Sequence, residues 1–185
     1  MYFILIGIGF MAVEIGLLQR MSVFLGHPIY SLSVLLFTLI LATGIGSLLS
    51  DRLVLDSRWK FALWALMTGG YILALPIWLP GVLLRFESVE LLGRASLCVA
   101  TIAPGGLLMG FGFPTGMRLV SAMDRKPTPW FWGINGAAGV LASVVAVSTS
   151  IAVGTSGTLT IGALCYFLLL PIALTFDWSR ASKPA

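Results

Sequence analysis

Charge is what this sequence has least of. Only 10% of its 185 residues are charged and 58% are hydrophobic, against about 25% and about 45–50% in soluble globular chains. A soluble fold of this size could not cover its surface with so few charges, which excludes a conventional water-bathed enzyme domain. Cysteine is almost as scarce. Cys98 and Cys165 both stand in apolar runs without CxxC spacing, which excludes a disulfide scaffold and a thiolate metal or redox centre. The one histidine, His27, has no second ligand at metal spacing, so no metal site is expected. Low polar content excludes disorder. The net charge of +4 comes without a basic patch interleaved with aromatics, so no nucleic-acid partner is expected.

What remains is a membrane composition, with a mean hydropathy of +1.02. A span needs about 20 mostly apolar residues at 1.5 Å each. Six stretches qualify: Tyr2–Leu18, with a possible extension to Leu25, then Ile29–Leu49, Phe61–Leu84, Ala95–Met117, Trp130–Val153 and Leu159–Phe176. The first lacks a positive leader and a small-residue cleavage site and is interrupted by Glu14, so it reads as a helix and not as a signal peptide. The expected fold is all-α: a polytopic integral membrane protein with a six-helix transmembrane domain over 1–176 and a short tail over 177–185.

Lysine and arginine set the expected orientation. Arg52, Arg58, Lys60, Arg118, Arg125, Lys126, Arg180 and Lys183 fall on one side, and only Arg20, Arg85 and Arg94 on the other. The positive-inside rule then places both termini in the cytoplasm. Trp59, Trp78, Trp130, Trp132 and Trp178 fall near the expected interfaces, as an aromatic belt should. The Arg85–Arg94 connection, with Glu87 and Glu90, could form a short interfacial helix. No connection is long enough to be a catalytic domain.

A few polar and small residues stand out against this background. Glu14 is the only acidic residue well inside a span, where a charge costs at least about 2.5–3.5 kcal/mol on insertion scales. Two readings are open: a proton, cation or ligand site, or a carboxyl that is protonated or paired with Gln19, Arg20 or Asn135 and holds helices together. Arg20 is expected to snorkel to the interface, and His27 to be a turn residue donating to a backbone carbonyl. In the fourth span, Pro104 and Pro114 predict kinks, and the pairs Gly106/Gly110 and Gly112/Gly116 allow close helix approach. Such interruptions line transporter sites but also occur in structural bundles. The fifth span repeats the theme with Gly133, Asn135, Gly136, Ala137, Ala138 and Gly139; its small face is expected to pack on the fourth, with Asn135 bridging the two. Asp51, Arg52, Arg58 and Arg118 form a candidate charge cap on the cytoplasmic side.

Three segments together carry a resemblance. Gly9-Phe10-Met11-Ala12-Val13-Glu14-Ile15-Gly16-Leu17-Leu18-Gln19-Arg20 leads into Phe24-Leu25-Gly26-His27-Pro28-Ile29-Tyr30-Ser31-Leu32. Gly112-Phe113-Pro114-Thr115-Gly116-Met117-Arg118 and Trp130-Phe131-Trp132-Gly133-Ile134-Asn135-Gly136-Ala137-Ala138 follow. From about residue 5 to 155 the chain resembles the membrane segment of bacterial spermidine-synthase-like proteins, the fused major-facilitator/spermidine-synthase type. The resemblance implies a six-helix unit related to half a major-facilitator transporter in a bacterial inner membrane. It brings Glu14, Gln19, Arg20, His27, Pro114, Arg118 and Asn135 into view without assigning them roles. The soluble synthase domain of that family has no counterpart here, so polyamine synthesis is not implied. Gly46-Ser47-Leu48-Leu49-Ser50-Asp51-Arg52 is also similar to the major-facilitator loop between its second and third helices. Its glycine stands one residue further from Asp51, and the glycine after Arg52 is missing.

Two functions compete. One is a non-catalytic membrane subunit packed among lipids and other membrane proteins. The other is a half-transporter that dimerises, with Glu14 in its path. An intramembrane enzyme is not expected, since no nucleophile–base pair or metal cluster is visible, and the residues name no cofactor.

Overall fold

The computed structural model describes residues 1–121 and 128–175. Arg125 and Lys126, the end of the sixth expected span at Phe176, and the tail with Trp178, Arg180 and Lys183 lie outside the described residues.

Every described element is a helix: α1 (Tyr2–Leu25), α2 (Pro28–Arg52), α3 (Arg58–Arg85), α4 (Leu91–Gly110), α5 (Gly112–Ser121), α6 (Thr128–Phe167) and α7 (Leu170–Thr175). An apolar chain in lipid must satisfy its backbone internally, and a helix does so within one segment. Local signals mark the ends. Gly26 closes α1 in the left-handed region (φ 77°) with its amide on the Ser22 carbonyl, a conformation that glycine adopts without a Cβ penalty. Pro28 opens α2 at a position where its missing N–H costs nothing. Ser57 opens α3 by accepting from the Lys60 amide at 3.4 Å.

Among the described residues, five helical stretches are long and apolar enough to cross a membrane, as an α-helical membrane protein requires. The fourth, Leu91–Ser121, joins α4 and α5, and the fifth, Pro129–Ile172, is 44 residues long. Straight, those 44 residues would reach about 66 Å, twice a hydrocarbon core of about 30 Å. They are not straight. Gly154 (φ 81°, ψ 167°) interrupts the helical backbone, in a region that essentially only glycine enters. Thr158 Oγ1 lies 3.5 Å from the Ala146 carbonyl oxygen, whereas 12 residues of unbroken helix would separate them by about 18 Å. The chain therefore folds back at Gly154, giving α6 a first arm before it and a second arm after it.

Both arms pack on α1. Along the first arm contacts ascend in register: Phe3 meets Asn135 and Gln19 meets Ser150. Along the second they descend, with Arg20 on Thr155, Gly16 against Leu159 and Gly9 against Gly162. α3 covers the second arm through Trp64 on Tyr166 and Gly69 beneath the Phe167 ring. α2 lies along α4. The core between them holds Val13, Met21, Leu39, Phe61, Ile72, Ile102 and Tyr166.

The bundle thus has two ends. At one, the start of α1, the end of α2, the start of α3, α5 and the start of α6 converge through Tyr2, Phe3, Asp51, Phe61, Arg118 and Phe131. At the other lie Gly26, Gly154 and the α3–α4 connection. That connection is a turn over 86–88, not the short interfacial helix the sequence suggested; its few residues reach directly from α3 to α4.

Candidate functional site

The fourth expected span is the most worked-over part of the chain. Its two glycine pairs face different neighbours. Gly106 and Gly110 receive α2: a methyl at Gly106 would stand 2.8 Å from the Ala42 Cβ, and one at Gly110 would overlap the Thr43 carbonyl. Gly46 of α2 answers, since a methyl there would overlap the Leu107 carbonyl. This is close backbone approach of the small-xxx-small kind. Gly112 and Gly116 instead face α1 and α3, beneath Trp64, Ile6 and the Tyr2 ring.

The helix breaks at Phe111, not at a proline. Pro104 sits inside α4 with the helix continuing past it. At the break, the Phe111 amide bonds to Leu108, three residues back, at 3.3 Å. Pro114 three residues on has no N–H and so leaves the Gly110 carbonyl without its helical donor. Neighbouring helices donate to one carbonyl on each side of the break and to a third further up α4. Trp64 Nε1 donates to the Leu108 carbonyl at 2.7 Å, Tyr2 Oη to Gly112 at 2.6 Å, and Tyr71 Oη to Thr101 at 2.6 Å. Three aromatic donors from α1 and α3 thus hold the interrupted helix in one shape. Sequence reasoning found the interruption and missed these donors; the available signal was three aromatics with a polar tip inside apolar spans, which tend to seek a partner when buried.

The intramembrane polar residues do not gather. Asn135 Nδ2 donates to the Phe3 carbonyl at 2.8 Å, so it bridges the first arm of α6 to α1. The expected bridge to the fourth span is corrected by this contact. Gln19 accepts a short hydrogen bond from Ser150, and Arg20 Nη2 donates to Thr155 Oγ1 at 3.0 Å and Ser156 Oγ at 2.9 Å. With these three engaged elsewhere, Glu14 is paired with none of them. It is half-buried. It follows Phe10 by four residues and Met11 by three, which puts it on the same face of α1 one turn on. Those two side chains line a groove of about 360 Å³ that continues over Met109, Phe113, Gly139 and Ser143.

The charge cap is built differently from its expected form. Arg118 Nη2 reaches Asp51 Oδ1 at 2.5 Å, and its guanidinium also donates to the Ser50 carbonyl at 2.7 Å and hydroxyl at 3.1 Å. This ties α5 to the end of α2. Arg52 and Arg58 are exposed and make no ion pair among the described residues. The second pair is local, Lys60 Nζ to Asp56 Oδ1 at 2.8 Å. That hydrogen bond holds the Asp56 carboxyl below its ordinary range. His27 is an N-cap: its Nδ1 accepts from the Ile29 amide at 3.3 Å, so it is an acceptor where a donor was expected. No group of ligands suited to a metal ion occurs among the described residues.

The first arm of α6 turns its small residues outward. Gly133, Gly136 and Ala137 are exposed, and a methyl built at either glycine would meet nothing within 4 Å. Val140, Leu141 and Val144 continue the open face at 67–70% exposure. The sequence led us to expect this face against the fourth span; α1 takes the opposite side of the arm instead. Comparisons with protein-family models, curated proteins and solved structures find nothing that matches this chain.

Proposed function

We propose that the protein is a non-catalytic subunit of a larger bacterial inner-membrane complex, crossing the membrane six times with both termini cytoplasmic. The fold-back at Gly154 supports the sixth crossing by dividing the 44-residue stretch into two antiparallel arms. An alternation of six helices is in keeping with the half-major-facilitator arrangement that the sequence resemblance implies. Among the described residues Arg52, Arg58, Lys60 and Arg118 lie at the end of the bundle assigned to the cytoplasm, in keeping with the positive-inside rule.

One observation carries the subunit reading: the uncovered Gly133–Gly136–Ala137 face. Lipid chains gain little from a glycine surface, whereas another helix can approach its backbone closely and collect van der Waals contacts. The held α4–α5 break adds support, because hydrogen bonds from Trp64 and Tyr2 on either side of it resist the motion a gate needs. The test is recovery of the protein in mild detergent. Wild type is expected in a stoichiometric assembly, and Gly133→Leu/Gly136→Leu is expected alone with its own fold intact. Recovery of wild type as a monomer or homodimer would overturn the reading.

A second reading, the half-transporter, draws on Glu14, which has no described partner and shares its face of α1 with the groove. Under it, Glu14→Gln abolishes an ion- or proton-coupled flux in proteoliposomes without changing expression.

A further inference from the structure

A second cavity, of about 460 Å³, opens at the Gly26–Gly154 end of the bundle. Arg20 of α1 and Arg94 of α4 both line it, with Gln19 and Thr155 beside them and Glu87 from the α3–α4 turn. Each guanidinium is anchored on one side only. Arg20 spends Nη2 on the two hydroxyls of the second α6 arm. Arg94 spends Nη1 on the Phe24 carbonyl at 2.9 Å, in the last turn of α1, where a cation is favoured. Of the remaining nitrogens, Arg20 Nη1 and Arg94 Nε are buried with no acceptor. Neither arginine has a salt-bridge partner among the described residues.

A buried guanidinium N–H without an acceptor has given up its hydration for nothing in return. Both arginines line one cavity and neither is neutralised by a carboxylate among the described residues, so the cavity calls for an anion. The lining carries two positive charges and one negative, so a monoanion balances it and a dianion does not. Arginine forks match phosphate oxygens in geometry. The cavity mouth is aliphatic, with Val23 at 85% and Leu84 at 72% exposure, and Pro80 and Leu83 deeper in the wall. A free ion has no use for such a mouth, whereas an acyl chain does. We propose that this cavity binds one phospholipid, with its phosphodiester between Arg20 and Arg94 and its chains running out along Val23 and Leu84. The lipid would belong to the leaflet at the arginine-poor end of the bundle.

The test is native mass spectrometry of the full chain, delipidated in detergent and titrated with phosphatidylglycerol, with diacylglycerol as the phosphate-free probe. One phosphatidylglycerol is expected to bind and diacylglycerol is not. Arg20→Gln/Arg94→Gln should weaken binding by at least about tenfold, the scale of one charge-assisted hydrogen bond. Arg85→Gln, an exposed charge at the same end and outside the cavity, should leave it unchanged. Equal binding of diacylglycerol, unchanged affinity in the double variant, or an equal loss in Arg85→Gln overturns the proposal. Displacement of the lipid by millimolar inorganic phosphate would assign the site to the free ion and overturn the lipid part. If the double variant does not fold by circular dichroism, Arg94→Lys serves instead. It keeps the charge and loses the Nε donor, and undiminished affinity there counts against the proposal.

Discussion

The Gly106–Gly110 segment of α4 and the Gly133–Ala137 segment of α6 carry the same spacing of small residues, four apart, in equally apolar surroundings. In α4 that spacing is filled: α2 lies so close that added methyl groups would strike Ala42 and the Thr43 carbonyl. In α6 it is empty, with nothing within 4 Å of either glycine. Small-residue spacing therefore marks a helix as able to receive a neighbour and does not say whether the same chain provides one. Here α1 occupies the other side of the α6 arm through Asn135 and Gly139, and the small face is left for something else.

Substitutions can break this contrast or sharpen it. The largest effect is expected from Gly110→Leu, whose side chain would have to displace the backbone of α2 at Thr43 and Gly46. A loss of about 3 kcal/mol or more is expected in detergent unfolding, at the upper end of overpacking penalties. Wild-type unfolding of that variant would mean the α2–α4 contact is not as close as described. Next comes Asn135→Leu, which removes the donor to the Phe3 carbonyl. Hydrogen bonds between membrane helices average about 0.6 kcal/mol, and a comparable loss should appear in the same assay.

Gly136→Leu is the counterpart of Gly110→Leu on the open face. Its stability should stay within about 0.5 kcal/mol of wild type, while its recovery in an assembly falls. A large loss of intrinsic stability would show that the face is covered within the chain. The smallest effect is electrostatic. Asp56 is held below its ordinary range by Lys60. The stability it contributes is therefore present above its unfolded value and lost as pH falls through the lower folded one. The pair is exposed, so the difference in melting midpoint between wild type and Asp56→Asn should be small at neutral pH. It should vanish in acid, and a difference that grows in acid would reverse the assignment.

How much was legible varies residue by residue. The first three expected spans match α1, α2 and α3 to within three residues at each end once the first is extended to Leu25. The signals are local ones: apolar length, Pro28, Ser57 and Gly26. The interruption of the fourth was also readable, though not its position at Phe111. That depends on a shared backbone deficit around Pro114 and on donors from Tyr2 and Trp64, more than 40 residues away in sequence. Glu14, Gln19, Arg20 and Asn135 were visible as anomalies, but the partners of the last three were not. Ser150, Thr155 and the Phe3 carbonyl carry no mark in the sequence, because a hydroxyl or a carbonyl becomes a partner only by where a neighbouring helix puts it. Arg94 looked like a loop charge until the turn of α4 carried it to the end of α1.

The sequence by itself determined that the described residues form helices long and apolar enough to cross a membrane, roughly where those helices begin and end, and which few polar residues must be accommodated among them. These follow from transfer free energy and backbone satisfaction, which are properties of a segment in its solvent and need no knowledge of its neighbours. Tertiary structure alone decided which glycine face is covered, where α6 folds back on itself, which group answers each polar side chain, and that Arg20 and Arg94 share a cavity. Those depend on the shapes of helices far apart in the chain meeting in lipid, where hydropathy is the same on every side and only complementary surfaces choose the partner.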